Sequence, residues 1–149
     1  MSHLVRTQRA TRPDVRFCLV FSRESMSVQA MRQVLGDTLR RLGVDEDSVA
    51  DILLATSEAC TNVIQHAARS VDDYAVATTV DTARCRIEII DSGEGARRPA
   101  RQRVAAMSES GRGFEVMRAC VDDVRLCSTP GRGTIVTLDK VLVGGKTGG

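Results

Sequence analysis

Four short stretches of this 149-residue chain combine residue types and spacings that could do chemistry. Glu58, Asn62 and His66 recur at i, i+4 and i+8, which puts them on one face of any helix that carries them, with Leu53, Ala59, Val63 and Ala67 opposite. Asp91 precedes Ser92-Gly93-Glu94-Gly95, a carboxylate followed by two positions where a ligand could approach bare backbone. Ser110-Gly111-Arg112-Gly113-Phe114 offers backbone N–H groups stripped of side chains, suited to phosphates if a helix opens there. Gly133-Thr134 adds a hydroxyl late in the chain. Each has a plain structural reading as well: a wet helix face, a turn aspartate, ordinary turn glycines. A helical E-x-x-x-N pair arises by chance in roughly one chain in three of this size.

The elements that must position these groups follow from periodicity. Phe17, Leu19 and Phe21 alternate with Cys18 and Val20, which predicts a first strand. Ser25 or Ser27 can cap a helix with the stripe Val28, Met31, Leu35, Leu39 and Leu42, ended by Gly43. Asp45-Glu46-Asp47 supplies a cap and an acidic first turn for a second helix, with apolar periodicity from Val49 to about Ala68. Strands are predicted from about Tyr74 to Val80 and Cys85 to Ile90, turning near Asp81, Thr82 and Ala83. Asp91 has the parity of Cys85, Ile87 and Ile89, so it points to the apolar side, where a buried carboxylate needs a donor such as an adenine amine. An Arg-rich stretch from about Glu94 to Ser110 is long for a connection and reads as a lid. A third helix from about Gly113 to Cys120, a strand near Val124 to Cys127, a Pro130-Gly131 turn and a strand from about Thr134 to Leu138 complete the order. Thr134 shares parity with Val136 and Leu138, on the same inner side as Asp91. Because helices and strands do not alternate strictly, the expected fold is α+β: a two-layer sandwich, three helices on one face of a mixed, mainly antiparallel sheet. One domain is expected over residues 15–142, between a flexible basic tail (1–14) and a flexible Gly-rich tail (143–149).

Composition removes several alternatives. Hydrophobic residues make up 42% and charged residues 27%, ordinary for a globular domain. The chain has no Trp, one Tyr and three Phe, too few rings for the stacking platforms of single-strand nucleic-acid binders, and a net charge of +2 does not argue for nucleic acid or membrane. Five scattered cysteines without C-x-x-C point to a reducing compartment, and with no apolar run of about 18 residues a cytoplasmic protein is expected. Two histidines leave little for zinc clusters or Ser-His-Asp chemistry.

Taken in order, Ser57-Glu58-Ala59-Cys60-Thr61-Asn62 to His66-Ala67, Asp91-Ser92-Gly93-Glu94-Gly95, Ser110-Gly111-Arg112-Gly113-Phe114, Val121-Asp122-Asp123-Val124 and Gly133-Thr134 resemble the GHKL ATPases. Within them the pattern is most similar to the bacterial anti-sigma factor serine/threonine kinases, over about Phe17 to Leu142. The resemblance implies a histidine kinase-like, Bergerat-type fold with ATP and Mg²⁺ as cofactors. It implies that Asn62 gives its side-chain oxygen to Mg²⁺, that Glu58 is the general base, and that Asp91 binds the adenine amino group beside Gly93 and Gly95. Gly111 and Gly113 would cradle phosphates, with Arg112 and Phe114 in the same segment; Thr134 would line the adenine pocket, and Arg32 would face partner proteins. The implied activity is phosphorylation of an anti-anti-sigma protein, alternating with sequestration of a sigma factor, in a homodimer with no direct contact to nucleic acid or membrane. The alternative is a non-catalytic or switch-type ATP-binding regulator of the same fold that binds no sigma factor. His66 belongs to the helix signature and reads as a packed or solvent-facing histidine. The sequence departs from the family at Ala96-Arg97-Arg98, where an Ile and a shorter polar turn are usual.

Overall fold

Asp45 starts the helix that carries the first motif: its Oδ2 accepts the Ser48 N–H at 3.0 Å, while the Val49 N–H donates to the Asp45 carbonyl at 2.9 Å. Glu46 and Asp47 then place negative charge against the positive end of the helix dipole. The computed structural model describes residues 14–66, 73–91, 111–129 and 133–143. Within them the order is β1 (Val15–Phe21), α1 (Met26–Arg41), α2 (Glu46–His66), β2 (Tyr74–Val80), β3 (Arg84–Asp91), α3 (Arg112–Cys120), β4 (Asp123–Thr129) and β5 (Gly133–Val141). This is the expected succession, with strands extended by one to three residues at their ends. The stretch read as a lid, and most of both tails, lie outside the described residues.

Turn chemistry sets the joints. Ser25 takes the N-cap position of α1 without a side-chain cap, whereas Ser27, inside the helix, donates to the Glu24 carbonyl at 2.6 Å. Gly43, at φ 82°, ends the helix through its N–H to the Arg40 carbonyl. Between β2 and β3, Asp81 Oδ1 accepts the N–H groups of Ala83 and Arg84, both at 2.7 Å, closing the hairpin.

The five strands lie in the order β1-β2-β3-β5-β4, and all four pairings are antiparallel, the limiting case of the sheet expected. Strand parity sends Tyr74, Val76 and Val80, then Cys85, Ile87 and Ile89, then Val136 and Leu138, toward the helices, where they form one core with Met31, Leu35, Leu39, Ile52, Val63 and Met117. The helix-covered face is therefore aliphatic, closed by Tyr74. Since Ser27 has a single proton and spends it on Glu24, the Tyr74 hydroxyl donates to Ser27 Oγ at 2.6 Å, tying β2 to α1. Burial pushes the thiols of Cys60 and Cys85 up to about 12, so within the core they act as small apolar groups.

The other face carries charge. Asp139, whose side chain is 7% exposed, accepts from Arg86 at 2.8 and 3.2 Å and from Arg125 at 3.3 Å. Burial alone would raise its pKa, but the hydrogen bonds and charge of Arg86, aided by Arg125, hold it below the ordinary value of 3.8. A carboxylate held low stabilises the fold fully above its unfolded pKa and loses that contribution as pH falls through the folded value. Asp139→Asn should therefore cost about 1–2 kcal/mol near neutrality, with the gap to the parent closing below about pH 4 in denaturant titrations. A constant gap across pH would contradict the assignment. Thr78 gives a second test, because its hydroxyl is buried with no hydrogen-bond partner among the described residues. Thr78→Val keeps the shape and removes the stranded group, and should raise stability by about 1 kcal/mol, read as a higher melting temperature. A lower one would mean the hydroxyl is satisfied.

Candidate functional site

The polar face of α2 is not wet. Glu58 is half-buried, and Asn62 is only 4% exposed, because the first turn of α3 packs across it. The approach is close enough to need glycine: a Cβ on Gly113 would lie 3.1 Å from Asn62 Nδ2, 3.2 Å from Asn62 Oδ1 and 3.5 Å from Glu58 Oε2. Residues 58, 62 and 113, separate in sequence, thus meet at one point. Gly111, at φ 56°, forms the N-cap of α3 in a conformation that L side chains rarely adopt, and it directs the helix start at that point.

The Asn62 amide is the informative atom set. Its Nδ2 is buried and has no hydrogen-bond partner among the described residues. An orphaned buried N–H₂ costs about 1–3 kcal/mol unless something accepts from it, so its place beside a helix N-terminus suits an anionic oxygen. Of the amide's two ends, the oxygen could serve a hard cation such as Mg²⁺, which takes one or two protein oxygens and keeps waters and substrate phosphates for the rest. Residue types and burial fit that pairing.

A second group lies at the ends of the central strands. Asp91 closes β3 and is in register with Thr134 on β5 and Tyr74 on β2. Thr134 is buried on the inner side, as parity implies, with Ser128 Oγ 3.4 Å from its hydroxyl. Asp91 is ion-paired with Arg23, a residue sequence reading did not single out. No local signal marks Arg23: it is one arginine among many, and its role depends on strand order, which places β1 two strands from β3. Phe114 is buried in the core, and Arg118 sits over its ring at 5.7 Å, so it anchors α3 rather than offering an open surface. Arg112, the first residue of α3, is exposed. Gly93 and Gly95 lie outside the described residues.

Arg32 is exposed on α1 and reaches α2, donating to Ser57 Oγ at 2.8 Å and to the Leu53 carbonyl at 3.3 Å. Ser57 is the residue that precedes Glu58 in the chain.

Comparison with known proteins agrees with this arrangement. Residues 21–140 match the family described as histidine kinase-like ATPase domain. The chain is 30% identical over 131 residues to the anti-sigma F factor of Caldanaerobacter subterraneus subsp. tengcongensis, covering 83% of this chain and 92% of that protein. It is 30% identical over 129 residues to the serine-protein kinase RsbW of Bacillus subtilis, covering 78% and 79%. In the crystal structure of the RsbU and RsbW domains of Rv1364c from Mycobacterium tuberculosis, a region matches with a TM-score of 0.68 at 23% identity, over 87% of this chain and 33% of that one, a likeness of fold.

The meeting of α2 and α3 yields a test in which stability and binding part company. Gly113 is a helical position outside the left-handed region, where alanine is intrinsically favoured by about 0.5–1 kcal/mol, a gain that the contact with the buried Asn62 amide opposes. Its methyl group would press on Asn62. Gly113→Ala should change the melting temperature little, the helix propensity of alanine offsetting the crowding at Asn62, while weakening adenine nucleotide binding about tenfold or more by calorimetry. Unchanged affinity would show that the contact does not shape the site.

Proposed function

The chain belongs to the histidine kinase-like ATPase family, in its branch of anti-sigma factors and serine/threonine kinases, and on that premise we propose that it phosphorylates a serine or threonine of an anti-anti-sigma protein. The observation that carries the reading is the close approach of Gly113 to both Asn62 and Glu58, which puts an anion-binding helix start beside a carboxylate and an amide.

Phosphoryl transfer asks the protein mainly for positioning and charge neutralisation. The N–H groups at the start of α3, between Gly111 and Phe114, hold phosphate oxygens, and the orphaned Asn62 Nδ2 is a further donor. Asn62 Oδ1 is the protein ligand for Mg²⁺, which when bound neutralises charge on the phosphate oxygens. Asp91 accepts from the adenine amino group, with Thr134 lining the same recess. Glu58, half-buried one turn before Asn62, takes the proton of the acceptor hydroxyl as its oxygen bonds to the γ-phosphorus. The bond to the bridging oxygen breaks, and ADP leaves with that electron pair.

The partner docks where Arg32 is exposed, on the side of α1 from which that residue reaches Ser57 of α2. A sigma factor competes for that surface, and partner exchange in the cytoplasm, by a homodimer, is the output. No helix among the described residues is long and apolar enough to cross a membrane.

Glu58→Gln keeps size and hydrogen bonding but cannot take a proton. Transfer of labelled phosphate to the cognate antagonist should fall about 10²- to 10⁴-fold, with ATP affinity nearly kept. Undiminished transfer would remove Glu58 as the base, and ATP binding without transfer by the parent protein to a verified partner would leave a nucleotide-gated adaptor instead.

A further inference from the structure

Arg23 lies two residues beyond the end of β1, yet its guanidinium is ion-paired with Asp91 at the end of β3, two strands away. Neighbouring strands are about 4.8 Å apart, so the side chain spans the end of β2, over the row in which Phe21 pairs with Tyr74 and Tyr74 with Asp91. An arginine is long enough for that reach. The pair is also sequestered, with the Arg23 side chain 5% exposed and that of Asp91 16%. Charges removed from water to this degree are kept only where each compensates the other.

We propose that Arg23 is a positioning residue for purine selection, fixing the Asp91 carboxylate as an acceptor-only group in one orientation, so that it accepts from the amino group of adenine and repels the carbonyl oxygen of guanine. This rests on the reading of Asp91 as the adenine-binding carboxylate. An ionised carboxylate has only lone pairs to offer, and the pairing with Arg23 fixes where they point. Adenine carries an N–H₂ donor where guanine carries an oxygen acceptor, and an acceptor-only partner separates the two by the sign of the interaction. The ion pair joins Arg23 to the strand ends whose register holds Asp91 beside Thr134.

The test is calorimetric titration of the full chain with Mg·ATP and, separately, Mg·GTP, for the parent, Arg23→Gln and Arg23→Lys, each checked by thermal melting. The parent should prefer ATP. In Arg23→Gln, ATP affinity should fall about ten- to hundredfold with GTP affinity little changed, so that the preference narrows. Arg23→Lys restores the charge on a shorter stem and should recover much of the preference. A preference unchanged in Arg23→Gln, or ATP and GTP weakened by the same factor, would reduce Arg23 to a structural role and overturn the proposal. ATP binding tighter than the parent would also overturn it, since Arg23 would then compete with the base. Should Arg23→Gln fail to fold, Arg23→Lys decides: intermediate ATP affinity with ATP still preferred supports the proposal, and equal affinity for both purines refutes it. A parent chain that binds neither nucleotide would instead overturn the reading of the site, and this inference with it.

Discussion

The structure depends on how closely the first turn of α3 comes to the middle of α2. A side chain at residue 113 would press on the Asn62 amide at 3.1 and 3.2 Å, and the helices or the amide would have to give by a few tenths of an ångström. With glycine there, the N–H groups that every helix leaves unsatisfied at its start are brought beside a buried amide and a half-buried carboxylate. The cost is a stranded donor on Asn62, tolerable in a domain whose aliphatic core supplies the folding free energy. Such local frustration is expected where a site is built for a ligand rather than for the empty fold.

The sheet carries the other half of the arrangement. Its antiparallel register aligns Tyr74, Asp91 and Thr134 across three strands, so a carboxylate and a hydroxyl come to one edge without any loop having to place them. The same row is braced from the side by β1 and its following turn, through the Phe21 ring against Tyr74 and Arg23 against Asp91. Helix α1 closes the brace, since Ser27 joins the Tyr74 hydroxyl to the Glu24 carbonyl. Apart from the ring contact, these interactions are polar, directional and mostly buried, properties that fix position more sharply than apolar packing does.

Much of this was legible in the chain itself. Period-two alternation placed every strand, the Asp45 cap placed the start of α2, and Asp91 and Thr134 face inward as their parity demands. The spacing of Glu58, Asn62 and His66 established a shared face but could not say whether that face was wet. Its burial arises from α3, a contact between residues about fifty apart that no local pattern encodes. Arg23 was illegible for a related reason: its partner is set by strand order, and a long flexible side chain leaves no periodic trace. Phe114 was read within the phosphate segment, whereas its size takes it into the core and only the backbone beside it stays at the site.

The central claim is that the start of α3, the polar face of α2 and the end of β3 form one binding site. Amide resonances followed in a ¹H–¹⁵N correlation spectrum during titration with Mg·ATP test it most directly. The account requires that Glu58, Asn62, Asp91, Gly111 and Gly113 shift together and saturate at one common nucleotide concentration. Shifts confined to one of these elements, or none at all at saturating nucleotide, would contradict it.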